Sequence, residues 1–225
     1  MLMFTIMDDL GPSESVEYFD AIQKPITTPP LIKTFLSRLF LPLLAFISRE
    51  KSLYLGLVPI DDERVIMAMK YAKGKVLDIG CGANNFIRSY GNGVGVDVFP
   101  WQGCDIVIKD AGELPFRGGS FDTVSLLACL NHIPNREDAT KEAYRVLRKD
   151  GRVLVSMISP RWGRFIHWIR FRNDPDHKDR HIDHDHEMLG MSSKQVNDIL
   201  LAAGFTGIKR KRFVFGLNNL YIGQK

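Results

Sequence analysis

The sequence predicts an α/β fold: a doubly wound, mostly parallel sheet of seven strands that ends in an antiparallel hairpin. From Lys75 onward, short β-branched runs alternate with helical patterns, as in a parallel sheet whose strands are joined by helices. Two last runs, 207–215 and 217–223, are joined too tightly for a helical crossover and therefore form the hairpin. A helical N-terminal cap, 1–70, precedes the sheet domain, 71–225.

The length and composition are those of an ordinary globular protein. The chain has 225 residues, of which 45% are hydrophobic and 25% charged, and these values exclude disordered, collagen-like and coiled-coil proteins. The formal net charge of +4 is far from the strongly basic surface that binds a phosphate backbone. Nucleic acid is therefore not expected as a partner.

The cysteines and the apolar segments indicate the cellular compartment in which the protein is expected. Three cysteines without a CxxC spacing predict neither a disulfide framework nor a thiolate zinc site, and no metal is predicted. The segment 1–7 is apolar but lacks a basic start and meets Asp8 and Asp9 at once, so it fails as a signal peptide. The longest apolar run, 39–47, is about half of the ~20 residues that cross a bilayer. These features predict a cytoplasmic protein.

The predicted elements follow in order along the chain. Helices are expected at 31–48, 61–72, 136–148 and 193–203, and strands at 75–79, 94–98, 106–108, 123–127 and 152–156. Asp61 or Asp62 could cap the second helix. The residues 149–151 end the third helix just before the fifth strand, and Gly204 ends the fourth helix.

A glycine pair directly follows the first predicted strand. The segment 76–82 places Gly80 and Gly82 in a turn, with a helix beginning near Asn84. Such a turn lets backbone approach a ligand at the carboxyl end of a strand, where a side chain would clash. Asp97 ends the next strand, where a carboxylate can accept hydrogen bonds from both hydroxyls of a ribose. Together they predict a nucleoside ligand.

Two departures from the Gly-x-Gly-x-x-Gly pattern of dinucleotide-binding proteins narrow the choice of nucleoside ligand. The third glycine of that pattern is absent, so close packing around a pyrophosphate, as in a nicotinamide oxidoreductase, is disfavoured. Asp78 lies inside the strand before the turn, where a carboxylate would repel a pyrophosphate but suits a cationic amino-acid end. S-adenosylmethionine has such an end.

These motifs resemble the class I S-adenosylmethionine-dependent methyltransferases of the type-11 group, which are Rossmann-like enzymes. The resemblance covers 75–223, about two thirds of the chain. The matching segments are 76–82, 95–98, 109–116, 120–124 and 142–151. Because five matches occur in the family's order, the resemblance is more specific than any single motif.

The resemblance implies a role in cofactor binding for ten residues. These are Asp78, Gly80, Cys81 and Gly82 at the methionine portion, Asp97 at the ribose, Val98, Asp110 and Ala111 at the adenine, and Leu127 and Ala128 at the methyl end. The resemblance also implies S-adenosyl-L-methionine as the cofactor and S-adenosyl-L-homocysteine as its product. One departure is Asp150, which stands where a Pro-Gly or Gly-Gly turn is frequent in the family.

Residues outside the cofactor motifs are candidates for the acceptor side. His132 follows the fourth strand and could be a general base, or it could only hydrogen-bond or position the donor. Arg161 and Trp162 begin an amphipathic helix in a lid insertion, about 160–192. This helix either only packs on the core or covers a phosphate-bearing or carboxylated acceptor. In the histidine-rich loop of this insertion, His181 and His184 could serve a substrate lid, a metal or only a solvated loop.

The sequence therefore predicts methyl transfer to a small-molecule, sugar or lipid-linked acceptor. The alternatives are an RNA methyltransferase and a catalytically silent S-adenosylmethionine-binding scaffold subunit. The basic run 209–212 is interpreted as a solvated edge strand rather than a nucleic-acid surface. The apolar helix 31–48 permits burial over the cofactor or peripheral membrane contact.

Overall fold

The computed structural model describes residues 25–26, 29, 49–55, 57–160 and 190–225. The predicted helix 31–48 and most of the lid insertion lie outside these residues. The same holds for Arg161, Trp162, His181 and His184. None of the described helices combines the length and the apolar composition needed to cross a membrane.

The described elements form one seven-stranded sheet flanked by helices. The strands are β1 (Val76–Ile79), β2 (Gly93–Asp97), β3 (Ile106–Val107), β4 (Phe121–Leu127), β5 (Leu147–Ile158), β6 (Thr206–Phe213) and β7 (Asn218–Gln224). The helices are α1 (Arg49–Tyr54), α2 (Ile60–Tyr71), α3 (Asn85–Tyr90), α4 (Arg136–Val146) and α5 (Ser193–Ala202), with a 3₁₀ turn at Val214–Gly216. The α/β fold class is thus confirmed.

The strand order is β3-β2-β1-β4-β5-β7-β6. The first five strands run parallel, and β7 pairs antiparallel with both β5 and β6, which confirms the predicted hairpin. The chain leaves β1 toward β2 on one side and returns to β4 on the other, so the strand order reverses at β1. Open α/β sheets bind ligands at such a reversal, beyond the carboxyl ends of the strands.

The core fixes β1 and β4 side by side. Leu77 and Ile79 of β1 and Val124 and Leu126 of β4 are almost completely buried within one hydrophobic cluster. Both strands are covered on both faces, as is usual for parallel sheets, and they read as continuous apolar runs for that reason. The turns that follow β1 and β4 are consequently held next to each other.

Two local predictions were wrong. Residues 149–151 do not end a helix before a strand at 152, because β5 already begins at Leu147, which pairs with Phe121 of β4. Pairing with a neighbouring strand overrides the local turn signal there, and Asp150 takes a left-handed conformation with φ of 62° inside the strand. The N-cap position of α2 is occupied by Pro59, so Asp61 and Asp62 lie in the first turn instead of capping it.

A capping box at α5 gives a test of local stability. The Ser192 hydroxyl accepts a hydrogen bond from Gln195 N at 3.2 Å, and the Gln195 side chain accepts one from Ser192 N at 2.9 Å. We expect Ser192→Ala to lower the free energy of unfolding by about 1 kcal/mol, because the amide of Gln195 loses its partner. Urea unfolding measures this loss, and Ser192→Asp should restore most of it. Equal stabilities of the alanine variant and the parent protein would contradict the expectation.

Candidate functional site

The glycine turn after β1 is anchored to the end of β2. Gly80 N and Cys81 N donate to Val96 O at 2.8 and 3.1 Å. Gly80 has φ of 69°, and a Cβ placed on it would lie 2.6 Å from Cys129 Cβ. Gly82 has φ of 51°, but a Cβ there would meet no atom within 4 Å. The backbone at Gly82 therefore borders open space that a ligand can enter.

Asp97 connects β2 to this turn. Its side chain is buried, with 8% of the residue exposed, and it accepts hydrogen bonds from Gly82 N at 2.9 Å and from Phe99 N at 3.1 Å. A carboxylate has about four lone-pair sites, so two backbone donors leave capacity for the hydroxyls of a ribose. The predicted ribose-binding carboxylate thus lies directly against the glycine turn.

Asn84 connects the glycine turn to the loop that precedes β3. It takes a left-handed conformation with φ of 59°, and its Nδ2 donates to Gly103 O and to Asp105 Oδ2, both at 2.9 Å. Asp105 Oδ2 also accepts from Gly95 N at 2.8 Å. A side chain on Gly95 would collide with the Asn84 amide. Sequence reasoning missed this network, which joins the turn to the loop before β3.

Asp78 is the buried acid of the site. It has 3% of its surface exposed, and Ser125 Oγ donates to its Oδ1 at 2.6 Å. Burial raises the pKa of Asp78 to about 7, the Ser125 hydrogen bond works against this rise, and Asp97 adds to it. The strand register places Ser125 opposite Asp78 in β4. A serine within an apolar strand was the only sequence signal for this partner.

A cavity of about 360 Å³ opens beside Asp78 and the glycine turn. This volume lies within the range of small-ligand pockets, about 300–1,000 Å³. Its described lining comprises Ile26, Asp61, Asp62, Arg64, Val65, Asp78, Gly80, Cys81, Ala83, Asn85, Phe86 and Leu127. Four predicted residues, Asp78, Gly80, Cys81 and Leu127, therefore meet here. Arg64 and its neighbours from α2 were missed, because the sequence does not show which helix packs over the turn.

The residues predicted for the adenine lie outside the described lining of this cavity. Val98 has 60% of its surface exposed, and Ala111 is buried. Asp110 is exposed and accepts hydrogen bonds from Gly112 N at 2.7 Å and from Asn135 Nδ2 at 2.8 Å. Both bonds lower the pKa of Asp110, the one from Gly112 more strongly. Asp110 is thus ionised and held at the start of α4.

The end of β4 carries the residues predicted for the methyl end and for proton transfer. Ala128 has φ of 57°, and its N donates to Ser156 O of β5 at 3.1 Å. His132 is half-buried, and its Nε2 lies 3.0 Å from Asn131 Nδ2. His132 is not among the described lining residues of the cavity. The structure thus leaves its proposed role as a base untested.

The thiols near the turn are held neutral. Burial raises the pKa of Cys81, and Asp78 adds to the rise. Burial likewise raises the pKa of Cys129, whose Sγ donates to Ile79 O at 3.0 Å. A neutral thiol is a poor nucleophile and a poor metal ligand, so these pKa directions favour neither role for Cys81 and Cys129. Within the described ranges, no three His, Cys, Asp or Glu side chains are grouped as a metal site.

Comparison with known sequences connects this site to a family. The methyltransferase domain family matches residues 77–155, which include the glycine turn, Asp97, Asp110 and the end of β4. The segment 77–155 is thus similar to this methyltransferase domain family. The family match and the fold together imply S-adenosylmethionine as the cofactor, as the motifs predict.

Individual relatives cover different shares of the chain. A ubiquinone/menaquinone biosynthesis C-methyltransferase of Rhizobium meliloti is 45% identical over 51 residues, which are 23% of this chain and 20% of that protein. An S-adenosylmethionine-dependent methyltransferase of Thermotoga maritima has the same fold, with a TM-score of 0.57, 19% identity and coverage of 85% and 99% of the two chains. A second structural neighbour comes from the complex of the Haloferax volcanii Trm112 methyltransferase activator with a methyltransferase. Its TM-score is 0.59 at 16% identity, and the match covers 82% of this chain and 96% of that chain.

The residues of the methyltransferase site fit this cofactor. When bound, S-adenosylmethionine supplies an electrophilic methyl group on a sulfonium. The buried Asp78 carboxylate suits its ammonium group, and the open space at Gly82 admits ligand atoms against the backbone. Asp97 retains acceptor capacity for the ribose, and exposed Val98 offers an apolar surface for a flat ring. The described residues thus fit the binding and orientation of this cofactor.

The raised pKa of Asp78 predicts a pH dependence of stability. An ordinary unfolded-state pKa of 3.8 and a folded-state pKa of about 7 mean that the folded protein binds the proton more tightly, so stability falls as pH rises between these values. Asp78→Asn keeps an acceptor for Ser125 but cannot ionise. We expect the melting temperature of the variant to exceed that of the parent protein at pH 8, with a smaller difference at pH 5.5. A difference that does not change with pH would contradict this expectation.

Proposed function

We propose that the protein transfers the methyl group of S-adenosylmethionine to a small-molecule, sugar or lipid-linked acceptor. The observation that carries the proposal is the cavity of about 360 Å³ at the carboxyl ends of β1 and β4, which combines the buried Asp78 with the glycine turn and Leu127. A site of this size suits a small acceptor group presented to the methyl end. The likeness to a C-methyltransferase of quinone biosynthesis supports an acceptor of that size class.

The chemistry requires alignment more than acid-base help. Methyl transfer is an in-line displacement, so the main task of the protein is to hold the acceptor atom in line with the sulfur-methyl bond. A hydroxyl acceptor needs a base at the end of β4, and His132 remains our proposal for that base. A carboxylate or an activated carbon needs none. Arg161, Trp162 and the loop histidines His181 and His184 remain proposed contacts of the acceptor.

Methyl transfer from labelled S-adenosylmethionine tests the proposal. Purified protein is incubated with separate polar-metabolite, lipid and RNA fractions of a cell extract, and Asp97→Ala serves as the variant without a cofactor site. We expect enzyme-dependent label in the polar-metabolite or lipid fraction, in a product that is one methylene heavier than its acceptor. Label confined to RNA would overturn the proposed acceptor class. Labelling of no fraction at all would contradict catalysis itself.

RNA is the second candidate acceptor. On the edge strand β6, the side chains of Lys209, Arg210, Lys211 and Arg212 are all exposed, which agrees with the predicted solvated edge but also offers positive charge. The affinity for RNA through these residues would fall steeply as the salt concentration rises, because roughly one counterion is released for each phosphate contact. A structural neighbour comes from a complex with a methyltransferase activator, so the RNA assay should be repeated with a candidate partner protein.

A further inference from the structure

The first turns of α2 contribute to the cofactor cavity a cation that the sequence motifs do not include. Arg64 lines the cavity, and 23% of its side chain is exposed. It is the one basic side chain in the described lining, which also contains Asp61, Asp62 and Asp78. The methylated cofactor carries an ammonium, a sulfonium and one carboxylate at this end. Three carboxylates and one guanidinium complement that pattern of charges.

The contacts of Arg64 within the protein leave donors for a ligand. Its Nη1 lies 3.3 Å from Asp61 Oδ1, but Asp61 is well exposed, and such a helical surface pair contributes little to stability. Its Nε is buried and has no hydrogen-bond partner in the part of the chain that the structure describes. A buried N–H without a partner is costly, so a ligand acceptor that pairs with this Nε is stabilised. A carboxylate matches two guanidinium donors at once.

The guanidinium borders the same cavity as the glycine turn, because Arg64, Gly80 and Cys81 all line it. Burial raises the pKa of Cys129, Asp78 and Asp97 add to the rise, and Arg64 works against it. The Cys129 side chain packs directly beneath Gly80. Arg64 and Asp78 therefore act on the same small region from two different elements, α2 and β1. An α-amino acid carries its ammonium and carboxylate on one carbon, so both of its anchors must border one cavity, as Arg64 and Asp78 do.

We propose that Arg64 binds the carboxylate of the S-adenosyl ligand, opposite Asp78 at the ammonium. The inference rests on the proposed function, because it assigns a further binding residue to the same cofactor site. Arg64 then selects for a complete amino-acid end over ligands that carry only the adenosine portion. It has no part in the transfer itself and needs no particular acceptor.

Calorimetric titration with three ligands tests this role without any acceptor. The ligands are S-adenosylhomocysteine, its decarboxylated analogue, and 5′-methylthioadenosine, which lacks the amino-acid end. We expect Arg64→Gln to weaken S-adenosylhomocysteine binding about 30-fold, while the affinities of the other two ligands change less than about twofold. Arg64→Lys should recover part of the loss. Lys70→Gln removes an exposed charge from the same helix and should leave all three affinities unchanged.

The three ligands separate the outcomes. An equal loss for all of them in Arg64→Gln would overturn the proposal and show a general effect on the fold of the site. Unchanged binding of S-adenosylhomocysteine would overturn it as well. Failure of the parent protein to bind S-adenosylhomocysteine would instead overturn the proposed function. Binding of 5′-methylthioadenosine by the variant shows that it has folded.

Discussion

Asp97→Ala is expected to lower the affinity of the protein for S-adenosylhomocysteine by about 100-fold. We propose that the carboxylate accepts hydrogen bonds from two ribose hydroxyls. Hydrogen bonds to a charged group contribute about 1.5–3 kcal/mol each, and the lower end of this range for two bonds corresponds to about 100-fold. The substitution also removes the acceptor of Gly82 N, which loosens the turn that faces the cofactor. Isothermal titration calorimetry measures the change directly.

Two variants show whether this loss is specific. Asp198→Ala removes a carboxylate from the exposed pair with Lys194 on α5 and should leave the affinity unchanged. Asp97→Asn keeps an acceptor for Gly82 N and should bind with an affinity between those of the parent protein and Asp97→Ala. If Asp97→Ala folds normally and binds as tightly as the parent protein, the assignment of Asp97 to the ribose is wrong.

Gly80→Ala is expected to destabilise the protein by about 2–4 kcal/mol. Two effects add: the residue has φ of 69°, which costs an L-residue about 1–2 kcal/mol, and its new methyl group would lie 2.6 Å from Cys129 Cβ. The contact is with a Cβ close to the backbone and cannot be relieved by rotating a side chain. Urea unfolding measures the loss of free energy.

Gly82→Ala is the matched control. Its φ of 51° imposes a similar backbone strain, but open space surrounds the added methyl group, so we expect a loss of only about 1 kcal/mol. Removing the Cys129 side chain should rescue the first variant, so the double variant Gly80→Ala, Cys129→Gly should lose less than the sum of its single changes. Equal losses at Gly80 and Gly82 would contradict the steric explanation.

Local sequence patterns predicted most of the strands and the glycine turn that position the site. Short β-branched apolar runs located β1, β2 and β4 to within two residues of their observed bounds. The Gly-x-Gly turn after β1, together with Asp97 at the end of β2, predicted a nucleoside site. The hydrogen bond from Gly82 N to Asp97 confirms that these two positions meet. These features depend on residues close together in the chain or on the rule that parallel strands end at one edge.

Local patterns were misleading where long-range pairing decides the conformation. The sequence around Asp150 has the composition of a turn, yet pairing with β4 extends β5 back to Leu147. The partners of the buried groups were equally hidden. Ser125 reaches Asp78 through strand register, and Asn84 reaches Asp105 across the turn, so neither contact follows from spacing along the chain.

The amino-acid sequence by itself determined the α/β fold and the glycine turn, because hydrophobic patterning and turn residues are local signals. The cofactor class followed from Asp78, Asp97 and the family resemblance of the motifs. Only the tertiary structure decided that Arg64 of α2 faces the same cavity as Asp78, and that burial raises the pKa of Asp78 to about 7. The packing of a helix on a sheet and the loss of solvent around a carboxylate depend on contacts between distant parts of the chain. No short stretch of sequence contains them.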